Sequence, residues 1–130
     1  MQARTKLFTA YDEWRRWTEL EGQAIEAANW PRVRECQDAK HRLQPLIICG
    51  NDHARRECDR LGLSRGDMER DVRKVIGELI ALETRNGEAL ASQRRQAEAE
   101  QTELDRAHTN LRRVHHSYGG RREAGWSSFS

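Results

Sequence analysis

The chain lacks most of what a sheet or a thick globular core requires. Among 130 residues there are two prolines, two phenylalanines and two tyrosines, and aromatic residues make up only 6%. β-Branched and aromatic residues are sparse, which argues against strands. No apolar run approaches the roughly 20 residues needed to cross a bilayer, and the longest strongly apolar stretch is Leu46 to Cys49. The N-terminus has no apolar signal core, so a cytoplasmic protein without membrane insertion is expected. The three cysteines, Cys36, Cys49 and Cys58, are odd in number and irregular in spacing. They form no disulfide framework, in keeping with a reducing compartment. Gly-x-Ser-x-Gly, a glycine-rich phosphate loop and HExxH are all absent. Long helices sharing a thin core also offer no desolvated pocket in which to tune a carboxylate. Neither an enzyme nor a bound cofactor is expected.

What is present is charge and helix formers. Charged residues make up 34% of the chain and hydrophobic residues 36%, a figure that alanine inflates. The 23 basic residues are nearly balanced by 21 acidic ones, for a net charge of +2. The signs are interspersed, as in Glu98 and Glu100 close to Arg94 and Arg95, which is the pattern of solvated helix faces carrying i,i+4 pairs. The basic clusters Arg112-Arg113 and Arg121-Arg122 are too small for a nucleic-acid footprint, so no nucleic-acid partner is expected.

Periodicity predicts an all-α fold, an elongated antiparallel helical hairpin or bundle with one very long C-terminal helix. The first helix spans roughly residues 3 to 28, with Leu7, Tyr11, Trp14, Thr18, Ile25 and Ala28 near one face. Trp14 and Trp17 read as core anchors, because tryptophan brings a large apolar surface to a small core. Asn29-Trp30-Pro31 marks a boundary: Asn29 can cap, and proline is tolerated in a first turn. The second helix carries Val33, Cys36, Lys40, Leu43 and Ile47 in phase. Pro45 inside that pattern predicts a kink, with a stop at Gly50. A short helix capped by Asn51 or Asp52 would then run to Leu61 and close at Gly62. Ser64 with Asp67 resembles a capping box that opens the long helix.

The long helix runs to about Tyr118, with Val72, Val75, Ile76, Leu79 and Leu82 in phase. Beyond them Leu90, Ala97, Leu104, Leu111 and Tyr118 follow at seven-residue steps, as along a coiled-coil stripe. At about 1.5 Å per residue, some fifty residues would extend roughly 75 Å and could not bury themselves. Asn86-Gly87 is a turn dipeptide at which this helix could break. The apolar phase passes through it undisturbed, which favours continuity, with Asn86 setting the register and Gly87 allowing close approach or bending. Residues 119 to 130 form a glycine-rich tail, expected to be flexible. The domain is therefore taken as residues 1 to 118.

Two constellations invite a functional reading. Cys49, His53 and Cys58, with Cys36 and His41 one helix earlier, could hold zinc, but the set lacks a Cys-x2-Cys pair. Cys49 after three large apolar residues reads rather as a buried small hydrophobe, and no metal is expected. The second is a protein-docking face: Leu104, Ala107, Leu111, Val114 and Tyr118, with Trp126 and Phe129 on the tail, could take an amphipathic client helix. The same stripe could pack on the first helix or on a second copy, making a homodimeric scaffold.

Ala24-Ile25-Glu26-Ala27-Ala28-Asn29-Trp30, then Val33 and Lys40 to Leu43, resemble the first helical hairpin of the FlgN and FliT flagellar export chaperones. Leu79-Ile80-Ala81-Leu82-Glu83-Thr84-Arg85-Asn86 with Leu90, and then Leu104 to Tyr118-Gly119, are similar to the long helix of the FlgN family. The resemblance implies a cytosolic chaperone that binds C-terminal helical segments of hook–filament junction proteins, flagellar axial export substrates. It would deliver them to the type III export apparatus. FliT-like service to the filament cap is the near alternative. The segment around Pro45 and Cys49 to Cys58 departs from the family pattern, which puts the client's identity in doubt.

Overall fold

A computed structural model describes residues 2 to 119. They form three α-helices, α1 (Gln2–Glu26), α2 (Trp30–Leu61) and α3 (Arg65–Gly119), and no strand occurs among the described residues. The chain divides into two compact units, Met1–Ala91 and Ser92–Ser130. In the first, α1 and α2 form an antiparallel pair, and the first half of α3 runs parallel to α1. That orientation follows from the cross-helix bonds: Tyr11 meets Asn51 and Glu21 meets Lys40, whereas Arg4 meets Asp71 and Trp14 meets Glu83. The described part of the second unit is the C-terminal half of α3.

Local chemistry sets the helix ends. The Asn29 side chain accepts from the backbone N–H of Arg32 at 3.3 Å, satisfying one of the orphan donors of α2, and Pro31 lies in the first turn. The α1–α2 turn is closed by paired C-terminal bonds: Asn29 N–H donates to Ala24 at 2.9 Å and Ala28 N–H to Ile25 at 3.0 Å. This places Ala28 at φ 53°, a left-handed position that ordinarily favours glycine. Gly62, at φ 69°, closes α2 in the same way, as its sequence position predicts. At the next turn the Ser64 hydroxyl accepts from Asp67 N–H at 3.4 Å, so the expected cap of α3 is in place. Arg65 and Asp59 pair across that turn, and the guanidinium holds the Asp59 carboxyl below its usual range.

Several expectations are corrected. α2 is one helix: it neither stops at Gly50 nor restarts at Asn51 or Asp52. His41, Gln44, Pro45 and Leu46 are exposed, so the carbonyl freed by the missing proline donor faces water. Gly50 is a close-approach site rather than a stop, since a Cβ there would lie 3.2 Å from Leu7 Cδ1. Cys49 is exposed, not a buried hydrophobe; Cys36 and Cys58 are the buried thiols, and burial pushes the Cys36 thiol up. Trp14 and Trp17 are half-buried rather than core anchors. Trp14 packs at the rim of the core, and Trp17 lies beneath the Arg32 guanidinium, 5.8 Å from the ring centroid. α3 continues through Asn86-Gly87, and a Cβ on Gly87 would meet open space, so close approach is not its role.

The apolar core is split in two. One cluster joins Leu7, Tyr11, Ala54, Cys58, Met68 and Leu79, with Val72 and Val75 packed against it. The other joins Ala24, Ile25 and Val33, with Ala89 and Leu90 at its margin. On α3 the inward positions Met68, Val72, Val75, Leu79, Leu82, Asn86 and Ala89 alternate four- and three-residue steps, the spacing of a coiled-coil seam.

Candidate functional site

Between the two apolar clusters lies a polar layer built by all three helices. Glu21 on α1 and Lys40 on α2 are 3% and 6% exposed, although both carry charge. Lys40 Nζ donates to Glu21 Oε1 at 3.0 Å and to Glu83 Oε1 on α3 at 2.5 Å, and it sits 5.4 Å from the Trp14 ring centroid. Trp14 Nε1 donates to Glu83 Oε1 at 3.2 Å; the Thr18 hydroxyl donates to the Trp14 carbonyl at 2.8 Å and lies 3.2 Å from the same Glu83 oxygen. Asn86 Nδ2 donates to the Thr18 carbonyl at 2.8 Å and to Glu21 Oε1 at 3.1 Å. One ammonium thus bridges two carboxylates, and the amide of Asn86 ties α3 to the backbone of α1. Buried polar groups satisfied this way fix alignment, because a slipped helix would strand them unpaired.

The Asn86 carbonyl needs a glycine opposite. A Cβ on Gly22 would lie 2.7 Å from Asn86 Oδ1, closer than the two atoms can approach. Helix propensity alone favours Gly22→Ala by up to about 1 kcal/mol. The clash with a hydrogen-bonded side chain reverses that sign, so a net loss of roughly 1–2 kcal/mol is expected. Urea denaturation of the variant checks this, and a stabilised variant would contradict the Gly22–Asn86 contact.

Leu104, Ala107, Leu111, Val114 and Tyr118 lie along the second unit, spaced three, four, three and four residues apart on one face of α3. That spacing is a narrow coiled-coil seam. The four large side chains are 64%, 57%, 46% and 56% exposed in chain order, and Ala107 is exposed as well. The five residues expected to dock a partner thus share one exposed face. Trp126 and Phe129, expected to complete it, lie outside the described residues.

The metal constellation is not assembled. Among the described residues no three His, Cys, Asp or Glu side chains converge as a cation would require. Cys58 faces Met68, with 3.7 Å between the sulfurs, while Cys49 is on the surface. Two grooves flank α1. One, of about 740 Å³ against α3, is lined by Arg4, Phe8, Asp12, Asp71, Lys74 and Glu78. The other, of about 520 Å³ against α2, includes Ala10, Leu43, Leu46, Cys49, His53 and Glu57. Both are open to solvent. No helix among the described residues is long and apolar enough to cross a membrane.

Sequence reading missed the polar layer. Its signal was Lys40, a lysine in phase with Val33, Cys36, Leu43 and Ile47; a cation in a seam calls for an anion on a neighbouring helix. The chain matches no protein-family model, no curated protein and no solved structure. The likeness to the FlgN family rests on the sequence motifs alone.

Proposed function

We propose that this protein is a helical chaperone that captures an amphipathic client helix along the C-terminal seam of α3, without catalysis or cofactor. The carrying observation is the open face itself: Leu104, Leu111, Val114 and Tyr118 are aligned at coiled-coil spacing and left in water. Contiguous apolar surface of that kind is costly unless a partner covers it. A seam on a continuous helix is preorganised and loses little entropy on binding.

The client class follows from the motif resemblance. Axial proteins of the flagellum assemble through amphipathic helices that must not pair before export. A substitute seam in the cytoplasm would occupy them, and the small area of five side chains would keep affinity modest enough for release at the export apparatus. Hook–filament junction proteins are the favoured clients and the filament cap the alternative.

Calorimetry of the full chain against C-terminal segments of axial proteins tests the proposal. Replacing Leu111 and Val114 together with Asp is expected to weaken binding by about 2 kcal/mol or more, with the thermal melt of the first unit unchanged. Deleting residues 119 to 130 tests Trp126 and Phe129 in the same assay. Unchanged affinity in the charged variant would place the client elsewhere.

A further inference from the structure

Along the helix that carries the open seam, charge falls in two blocks. From Glu98 to Asp105 there are four carboxylates, Glu98, Glu100, Glu103 and Asp105, and no base. From Arg106 to His116 there are three arginines and three histidines, and no acid. The helix dipole accounts for cations in the last turn only, since its effect fades within one turn. Arg106 lies three turns before the end of α3. A helix that is acidic along one half of a seam and basic along the other is complementary to itself when reversed.

We infer that in the absence of client this segment pairs antiparallel with the same segment of a second copy. One register matches the leucines of the seam with smaller side chains. With Leu104 opposite the partner's Val114 and Leu111 opposite the partner's Ala107, each large group meets a smaller one and the same contacts recur across the two-fold axis. At both ends Tyr118 meets the partner's Glu100, so a phenol that can donate faces a carboxylate that can accept. In this register Asp105 lies level with the partner's Arg113 and Glu103 with the partner's His115, while Arg106 lies level with the partner's Arg112. Parallel pairing would instead set Ala107 against Ala107 and Tyr118 against Tyr118, and lay the basic blocks together. The paired stretch is only about three heptads, so the dimer is weak and a client helix can displace it.

The inference uses the same seam as the client proposal, but its test contains no client. Sedimentation equilibrium of the full chain across a concentration series should show a mass rising from 15.2 kDa toward twice that value. Dissociation should increase with salt, because the blocks are exposed. Glu103→Lys with Asp105→Lys should raise the dimer dissociation constant about tenfold or more, and Leu111→Asp should abolish the dimer. Spin labels in a Cys49→Ser background report direction. Labels on Thr109→Cys should lie close together, and labels on Arg95→Cys should lie farther apart by about 40 Å along the axis. Equal separations at the two positions would mean parallel pairing and overturn the inference. A mass that stays at one chain, or a dimer indifferent to Leu111→Asp, would overturn it as well. A dimer with no client binding would remove the client proposal and leave this one standing.

Discussion

Replacing Lys40 with methionine is expected to cost the fold about 3–5 kcal/mol, because breaking a buried ion pair leaves a charge without its partner. In the native structure Lys40 Nζ bridges Glu21 and Glu83. Without it the two carboxylates face one another across a methionine side chain. Glu83 can turn toward water, since its side chain is partly exposed, but Glu21 cannot. Asn86 still donates to Glu21, which is why the loss is placed at the lower end, near 3 kcal/mol. Against the roughly 5–15 kcal/mol that holds a typical domain together, this is a large fraction. Urea denaturation followed by far-UV circular dichroism measures it. The diagnostic companion is Glu21→Leu with Lys40→Met and Glu83→Leu, which should recover most of the loss, since well-packed apolar groups often replace buried ions without penalty. A Lys40→Met protein as stable as the parent would mean the bridge is not made in solution.

Leu7→Ala should be nearly as severe, at about 3–5 kcal/mol from lost burial plus the cavity left behind. Leu7 is almost wholly enclosed, in one cluster with Tyr11, Ala54, Cys58, Met68 and Leu79. The backbone of α2 presses on it at Gly50, where even one added carbon would sit 3.2 Å from Leu7 Cδ1. Helices held that closely cannot collapse further to fill the void, so relaxation recovers little. Trp14→Ala is the contrast. A half-buried ring at the rim loses less area, and its main loss is the Nε1 bond to Glu83. Equilibrium denaturation should therefore rank Leu7→Ala well above Trp14→Ala; the reverse order would show that the tryptophan, not the leucine, organises the core.

The polar layer and the open seam do different work on the same helix. In the first unit α3 is held by two apolar clusters with a charged layer between them, and Asn86 with Gly22 fixes how α3 meets α1. A one-turn slip would carry Asn86 away from the Thr18 carbonyl and bring a side chain against Gly22 in its place. From residue 92 onward the same helix presents Leu104 to Tyr118 to solvent.

Composition and periodicity by themselves determined the all-α class, the long α3 and three helix boundaries. Those features depend on chemistry within a few residues: Asn29 capping the amide of Arg32, Gly62 adopting positive φ, and Ser64 capping at Asp67. The face of α1 was also legible, because Leu7, Tyr11, Thr18 and Ile25 recur at helical spacing and all four are buried. Spacing likewise identified the seam from Leu104 to Tyr118. What neighbours decide could not be read. Pro45 and Gly50 look like breakers in one dimension, yet α2 passes through both. Water solvates the carbonyl freed by the proline, and Leu7 takes up the space that a Cβ on Gly50 would fill. Trp14 and Trp17 have the hydrophobicity of core residues, but polar partners from other helices hold them at the margin, Glu83 on the Trp14 indole N–H and Arg32 over the Trp17 ring. Only tertiary structure could bring Glu21, Lys40 and Glu83 together, because burying a charge becomes tolerable when its counter-charges arrive from helices 19 and 43 residues away in the chain.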